Sequence, residues 1–207
     1  MGRLTLTTFL SLDGVMQGPG GPEEDPRDGF ADGGWLVPFA DEDMAQFMAE
    51  VFDRSAAFLL GRRTYDIFAA HWPQVTDPND PVAGRLNAHP KYVVSTTLER
   101  PEWRNTTVVS ADVPAEVARI KERTGDGELQ IHGSGELARS LMAHDLIDEY
   151  NLLIYPVVLG RGRRLFPDGG LPTSFRHTGA RTTASGIAIH TYRPAGRPRF
   201  GSFALEG

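Results

Sequence analysis

The 207-residue sequence contains no cysteine, no excess of basic residues and no long apolar run. Without cysteine, disulfides, thiolate catalysis and thiolate metal ligands are excluded. The net charge of −6 argues against the basic face that nucleic-acid binding needs. No segment approaches the roughly 18 apolar residues of a membrane span, and the first residues lack the features of a secretory signal peptide. We therefore expect a cytoplasmic protein with no nucleic-acid or membrane partner.

Metal catalysis also lacks its usual pattern. No two of the six histidines are three or four residues apart, and no acid-rich ligand cluster accompanies them, so we expect no metal centre. Hydrophobic residues make up 40% of the chain, which is enough for a sizeable core. We predict one domain over residues 1–193 and a C-terminal tail over residues 194–207.

Strand-like and helix-like segments alternate through most of the chain. Strands are predicted at residues 4–12, 56–60, 91–95, 106–109, 129–132 and 150–159, and a closing hairpin at residues 177–183 and 187–193. Helical spacing appears at residues 44–52, after Gly61, after Pro114 and after Gly135, whereas residues 73–90 read as a loop. This order predicts an α/β fold: a mostly parallel central sheet with helices on both faces and a C-terminal antiparallel hairpin.

A glycine-lined turn lies inside the most regular part of the chain, a β-α-β unit over residues 128–159. Gly133-Ser134-Gly135 follows a strand and precedes a helix, where unpaired amides attract phosphate. With Ala138 the glycines satisfy the dinucleotide pattern G-x-G-x-x-G/A. A Rossmann unit would also carry an acid near the end of its second strand, and none is present. A Rossmann dehydrogenase is therefore disfavoured, and a turn without a ligand stays open.

Two other strand ends carry groups that suit phosphate. Arg62-Arg63-Thr64 follows one predicted strand, and Ser95-Thr96 follows another. Guanidinium groups make forked bonds to phosphate oxygens, and hydroxyls add neutral donors. Each pattern alone also fits a surface ion pair or a turn cap. Together, the three strand ends predict a ligand with both a pyrophosphate and a separate phosphate, as in NADPH.

The segment of residues 15–40 is rich in glycine and proline. A loop of this length inside a compact domain is usually functional or disordered. Its apolar residues Trp35, Leu36, Val37 and Phe39 favour an active-site loop that closes over a ligand. A dispensable insertion is the alternative.

Several motifs together resemble the dihydrofolate reductase superfamily. They are S-L-D-G near the start, L-L-G-R-R-T-Y-D, Y-V-V-S-T-T-L, and I-H-G-S-G-E-L-A-R-S-L followed by L-I-D-E-Y-N-L-L-I-Y-P-V-V-L-G-R-G-R-R-L-F. Within the superfamily, the chain is most similar to the reductase domain of riboflavin biosynthesis and its stand-alone relatives, over residues 4–192. The resemblance implies a dihydrofolate-reductase-like fold, NADPH as hydride donor and a homodimer.

The resemblance also implies roles for particular residues. By motif position, Arg62, Arg63 and Thr64 meet the adenosine 2′-phosphate and the pyrophosphate, and Ser95 and Thr96 join them on the 2′-phosphate side. The residues expected along the pyrophosphate and the nicotinamide ribose are Gly133, Ser134, Gly135, Glu136 and Leu137. One departure is Gly133-Ser134, where dihydrofolate reductases have two glycines.

The catalytic acid has two candidates. In dihydrofolate reductases an acid near the start of the first helix protonates the pterin, and Asp43 or Asp41 matches it. In the riboflavin branch, Asp13 of S-L-D-G lies near the substrate instead. Purely structural roles are the alternative: Asp13 would bond its own turn, and Asp41 or Asp43 would cap the first helix.

We therefore predict an NADPH-dependent reductase that acts on a heterocyclic or ribosylamino small molecule. For the riboflavin branch the substrate would be 5-amino-6-(5-phosphoribosylamino)uracil, with Arg161, Arg163 and Arg164 as candidates for its phosphate. A pterin or dihydrofolate-type reductase and a non-catalytic NADPH-binding dimeric module are the alternatives.

Overall fold

An eight-stranded sheet runs through the computed structural model, which describes residues 2–203. The strands are β1 (Arg3–Ser11), β2 (Ser55–Gly61), β3 (Lys91–Val94), β4 (Thr106–Val109), β5 (Glu128–His132), β6 (Glu149–Tyr155), β7 (Phe175–Thr182) and β8 (Ala188–Pro194). Their order is β4-β3-β2-β5-β1-β6-β8-β7. The first six strands of this order are parallel and the β7–β8 hairpin is antiparallel, so the predicted fold class is confirmed.

Five α-helices cover the two faces of the sheet within the described residues. They are α1 (Glu42–Asp53), α2 (Arg62–His71), α3 (Pro81–Ala88), α4 (Val113–Arg123) and α5 (Gly135–Met142). The buried side chains of α4 and α5 pack on one face, and those of α1, α2 and α3 pack on the other. Between residues 2 and 203 there is no helix that is both long and apolar enough to cross a bilayer.

The predicted β-α-β unit spans β5, α5 and β6, but its two strands are not neighbours. β1 lies between them and pairs in parallel with both, with Thr7 opposite His132 on one side and Asn151 on the other. Its buried residues Leu4 and Leu6 are fully enclosed. The first strand of the chain is therefore the centre of the sheet.

Two sequence predictions are wrong in detail. The predicted loop of residues 73–90 contains α3, whose N-cap Asp80 accepts bonds from the amides of Val82 and Ala83. Proline at the first helical position completes a normal helix start. The strand predicted over residues 150–159 ends at Tyr155, because Pro156 cannot donate to a sheet ladder.

β5 has a polar face that its apolar appearance in the sequence concealed. Glu128, Gln130 and His132 alternate with Leu129 and Ile131, and all three polar residues are buried. The Gln130 amide donates to Glu128 Oε2 at 3.0 Å, and its oxygen lies 3.1 Å from His132 Nε2. Burial lowers the pKa of His132 to about 3, so its ring is neutral at physiological pH. This polar row lies against α1, since Gln130 also donates to Val51 O.

The 15–40 loop is folded and held to the core at two points. Val15 forms an isolated bridge with Arg164. Further along, Trp35 donates from Nε1 to Gln17 O at 2.8 Å and packs edge-on against Tyr155. Two 3₁₀ turns, Arg27–Gly29 and Val37–Phe39, give the loop its local structure.

The predicted C-terminal tail leaves β8 beside Ser174. Ala195 N donates to Ser174 O, and Arg197 forms a forked ion pair with Asp145. Phe200 and Phe203 are exposed and do not dock on the core. The tail positions 204–207 lie outside the described residues.

The charged end of the β5 polar row gives a stability prediction. Glu128 accepts from Arg3 at 3.0 Å and from Arg54 at 2.9 Å while its own side chain is buried. We expect Glu128→Ala to lower the free energy of unfolding by about 2 kcal/mol, because charged hydrogen bonds to β1 and to the end of α1 are lost. Urea denaturation measures this. Glu122→Ala, an exposed position on α4, is the control and should change stability little.

Candidate functional site

The ends of β3, β2 and β5, where the sequence predicts phosphate-binding turns, lie side by side at one edge of the sheet. β3, β2 and β5 are consecutive and parallel, and Gly61 at the end of β2 pairs with Val94 at the end of β3. His132, at the end of β5, is in register with β1. The turns that begin with Arg62, Ser95 and Gly133 therefore share the carboxyl edge, where open α/β sheets bind ligands.

Ser134 joins two of these turns. Its hydroxyl accepts a hydrogen bond from Gly61 N at 3.0 Å, and its amide donates to Thr64 Oγ1 at 3.2 Å. Gly133 and Ser134 both have left-handed backbone, with φ of 59° and 50°. For serine this conformation costs about 1–2 kcal/mol, and the two hydrogen bonds offset that cost. Ser134 therefore connects the start of α2 to the start of α5.

Arg62 contacts the turn after β3 through Thr97, which the sequence analysis did not assign to the cofactor. Arg62 Nη1 donates to Thr97 Oγ1 at 3.4 Å, while Nε bonds both carboxylate oxygens of Asp66. Ser95 accepts at its hydroxyl from the amides of Thr97 and Leu98. Thr97 stands in the same Ser-Thr-Thr run, so the motif itself contained the signal.

Arg63 and Thr96 differ in their surroundings. Arg63 Nη1 lies 3.5 Å from Asp25 Oδ1 of the 15–40 loop. Thr96 is exposed at the same edge as Ser95. The structure thus brings the predicted arginines and hydroxyls together, with Asp25 as an additional neighbour.

The first turn of α5 has three different environments. A Cβ on Gly135 would lie 2.6 Å from Met16 Sδ, so the glycine admits the loop close to the backbone. Glu136 accepts from Arg163 at 2.6 Å and from Arg27 at 3.3 Å. Leu137 is buried in the core between the sheet and α5. Glu136 therefore ties α5 to the loop, and Leu137 anchors the helix.

Asp13 has the structural surroundings of a turn residue. Its carboxylate accepts from Ser11 Oγ at 2.6 Å and from the amides of Leu159 and Gly160 at 3.1 and 2.9 Å. Partial burial raises its pKa, but these hydrogen bonds outweigh that effect and lower the pKa to about 2. Asp13 is thus ionised and holds the turn after β6 to the end of β1.

Asp41 and Asp43 are also engaged by backbone amides. Asp41 caps α1 by accepting from Met44 N and also accepts from Ser185 N, which holds its pKa well below the ordinary range despite the opposing effect of burial. Asp43 Oδ2 accepts from Ala184 N at 2.9 Å. Both acids therefore fasten α1 to the β7–β8 turn.

The arginines of the 161–164 turn are paired with acids or with backbone. Arg161 bonds Asp32 at 2.7 Å, and Arg163 bonds Asp28 at 2.9 Å in addition to Glu136. Arg164 donates to the backbone oxygen of Asp13. These contacts connect the turn to the 13–32 part of the chain, so the arginines hold that segment in place.

Comparison with known proteins decides the family. Residues 3–189 match the RibD C-terminal domain. The chain belongs to the RibD C-terminal domain family. The resemblance read from the motifs is therefore confirmed over nearly the whole chain.

The chain is also similar to an uncharacterised relative and to a solved structure. An uncharacterized protein of Bacillus subtilis, YyaP, is 25% identical over 193 residues and covers 92% of this chain and 94% of its own. A putative riboflavin biosynthesis protein from Shewanella superimposes with a TM-score of 0.69 at 22% identity, covering 93% of this chain and 98% of its own.

A third match carries a named activity. The diaminohydroxyphosphoribosylaminopyrimidine deaminase/5-amino-6-(5-phosphoribosylamino)uracil reductase of Thermotoga maritima has a TM-score of 0.60 and 16% identity. It covers 94% of this chain but only 57% of the Thermotoga chain. At these identities the structures establish a shared fold, which the RibD C-terminal family uses in reductase domains.

A groove of the described structure lies apart from the carboxyl-edge site. It has a volume of about 530 Å³ and lies beside the C-terminal half of α5, with Met142, Leu165, Phe166 and Phe175 in its wall. None of the predicted cofactor residues lines it. Within residues 2–203, no three histidine or acidic side chains cluster so that they could hold a metal ion.

The Ser134 link gives a prediction for the RibD C-terminal family site. Ser134→Ala leaves Gly61 N without its acceptor, so we expect the free energy of unfolding to fall by about 1 kcal/mol. Chemical denaturation provides the measurement. Ser140→Ala, at an exposed position on α5, is the matched control. Equal losses at both positions would contradict the link.

Asp13 gives a prediction for acid stability. Its folded pKa lies below the ordinary 3.8, so its carboxylate stabilises the fold above that value and the stabilisation is lost as the pH falls towards 2. We expect Asp13→Asn to be less stable than wild type at pH 6, with the difference narrowing between pH 4 and pH 2. Thermal unfolding across this range measures it. A constant difference would mean that Asp13 does not act through its charge.

Proposed function

We propose that this protein is an NADPH-dependent reductase that transfers hydride to a C=N or C=O bond of a heterocyclic or ribosylamino substrate. The observation that carries the proposal is the adjacency of three turns at the carboxyl edge. Gly61 and Thr64 bond Ser134, and Arg62 reaches the hydroxyl of Thr97. Membership of a family with reductase domains supports the same activity.

The contacts fit a cofactor with two separate phosphate positions. One position lies by Arg62, Ser95 and Thr97, and the other lies between the first turns of α2 and α5. Arg62 is half in solvent, and its i,i+4 pair with Asp66 is worth at most about 0.5 kcal/mol. Its guanidinium is therefore available for exchange to a doubly charged phosphate, which NADH lacks.

The chain's own residues would supply binding, orientation and exclusion of water. NADPH, when bound, supplies the hydride. Gly133 and Gly135 allow the ligand close to the main chain, and the first-turn amides of α5 face negative charge. Met16 and the ion pairs of Glu136 hold the 15–40 loop across this turn, which limits access of water.

Two features of the site bear on the substrate. Asp41 and Asp43, the two acids matched to the proton donor of a pterin reductase, are both committed to backbone amides. This disfavours a dihydrofolate-type substrate. The arginines suggested for a substrate phosphate, Arg161 and Arg163, are paired with loop acids. They bind a substrate phosphate only if those pairs open.

The homodimer implied by the resemblance stays a prediction. Phe166 and Leu171 are more than 40% exposed beside the large groove, and exposed apolar clusters favour contact with another protein surface. Sedimentation velocity distinguishes one chain from two by mass.

Cofactor preference is the first test of the proposal. At one hundred times its Kd, NADPH should add about 2.7 kcal/mol to the free energy of unfolding and raise Tm, whereas the same concentration of NADH should do much less. Replacing both Arg62 and Arg63 by alanine should remove the preference. The same double loss of charge on α4, Arg119→Ala with Arg123→Ala, should leave it intact. Equal shifts by the two cofactors in the wild type would refute the assignment of the arginines.

Turnover is the second measurement. Oxidation of NADPH is followed by absorbance with dihydrofolate, with the uracil intermediate of riboflavin synthesis and with simple carbonyl compounds. A substrate that drives oxidation establishes the reductase. Tight NADPH binding without oxidation in any of these assays would favour the non-catalytic module instead.

A further inference from the structure

One carboxylate of the 15–40 loop lies between two guanidinium groups. Asp25 is buried, and it accepts from Arg27 Nε at 2.8 Å and from Arg27 Nη2 at 2.6 Å. The Asp25 carboxylate also contacts Arg63, with 3.5 Å between Asp25 Oδ1 and Arg63 Nη1. A single anion from the loop thus contacts both a loop arginine and an arginine of α2.

The position of this carboxylate is defined by two helices. Arg63 belongs to the first turn of α2, next to the Gly61–Ser134 bond. Arg27 reaches Glu136 in the first turn of α5, with 3.3 Å between Nη1 and Oε1. The Asp25 carboxylate therefore lies close to the helix starts where the proposed function requires a phosphate of the cofactor.

We propose that Arg27 and Arg63 form an anion subsite for a phosphate of the bound nucleotide, and that the Asp25 carboxylate occupies this subsite until the phosphate displaces it. The inference rests on the proposed function. A carboxylate and a phosphate accept the same forked bonds from guanidinium. The phosphate additionally reaches the first-turn amides of α2 and α5, so it has more donors available than Asp25 uses.

Release of the subsite needs only a side-chain movement. Gln17 Nε2 donates to the backbone oxygens of Asp25 and Arg27, each at 3.0 Å. These two bonds hold the loop backbone when the carboxylate gives up its own bond from the Arg27 amide, which is 3.3 Å long. The Arg27 guanidinium lowers the pKa of Asp25, which keeps the carboxylate charged at neutral pH. The Asp25 side chain can therefore rotate away from Arg27 and Arg63 while the backbone of the loop and Arg27 stay in place.

The other acid pairs of the loop lack this arrangement. Asp32 bonds Arg161 at 2.7 Å, and Asp28 bonds Arg163 at 2.9 Å. Both arginines belong to the 161–163 turn, and neither pair includes a residue of α2. The exposed Asp145–Arg197 pair, which has the same charges and lies outside both the loop and the 161–164 turn, is therefore the control.

Calorimetric titration with inorganic pyrophosphate and with NADPH tests the subsite. Asp25→Asn keeps the size of the side chain and removes the competing charge, so both ligands should bind about five- to tenfold more tightly. Arg27→Ala removes a donor, so both should bind about five- to tenfold more weakly. Asp145→Asn and Arg197→Ala should stay within about twofold of wild type. Thermal melts of the unliganded variants identify any that fail to fold.

The outcomes separate this inference from the proposed function. Unchanged or weaker binding by folded Asp25→Asn would overturn the subsite, as would a complete lack of pyrophosphate binding by every variant. If wild type still oxidised NADPH in that case, the reductase proposal would stand alone. If pyrophosphate affinity changed as expected but no substrate drove oxidation, the subsite would stand and the reductase proposal would fall.

Discussion

Parallel pairing of β3, β2 and β5 is the constraint on which the candidate site depends. Parallel neighbours must end at the same edge, so turns that are 34 or more positions apart in sequence become adjacent in space. Gly61, Ser95 and Gly133 each begin a turn at that edge. The hydrogen bonds of Ser134 then hold two of these turns together. The chemistry of the site is thus a consequence of strand direction.

A second layer of the site is ionic and comes from the 15–40 loop. Its acids and Arg27 contact α2, α5 and the 161–164 turn, while Val15 and Trp35 anchor it in apolar surroundings. Apolar anchors give the loop a defined path, and ion pairs on its outer side exchange partners at little cost. The same segment can therefore be ordered and still respond to a charged ligand.

The sequence predicted the parts of the molecule that local patterns govern. Strand and helix order, the cap at Asp41 and the motif around Ser134 follow from spacing and short-range chemistry. α3 was missed because its eight residues include a glycine and lie among prolines and acids, which read as loop. The pairing of Asp25 with Arg63 was not predictable, because a contact between a loop and a distant helix leaves no periodic trace. Asp13 was selected by motif, and only its three donors reveal its role at the turn.

The central place of β1 has a consequence for biogenesis. β1 acquires both its neighbours only when residues 128–132 and 149–155 have been made. Until then its apolar side chains, Leu4 and Leu6 among them, have no partner strand while residues 12–127 are synthesised. Such late, long-range closure slows folding and favours association with chaperones. A circular permutant that begins after β4 would make β5 and β6 before β1, so β1 would find both its neighbours already synthesised.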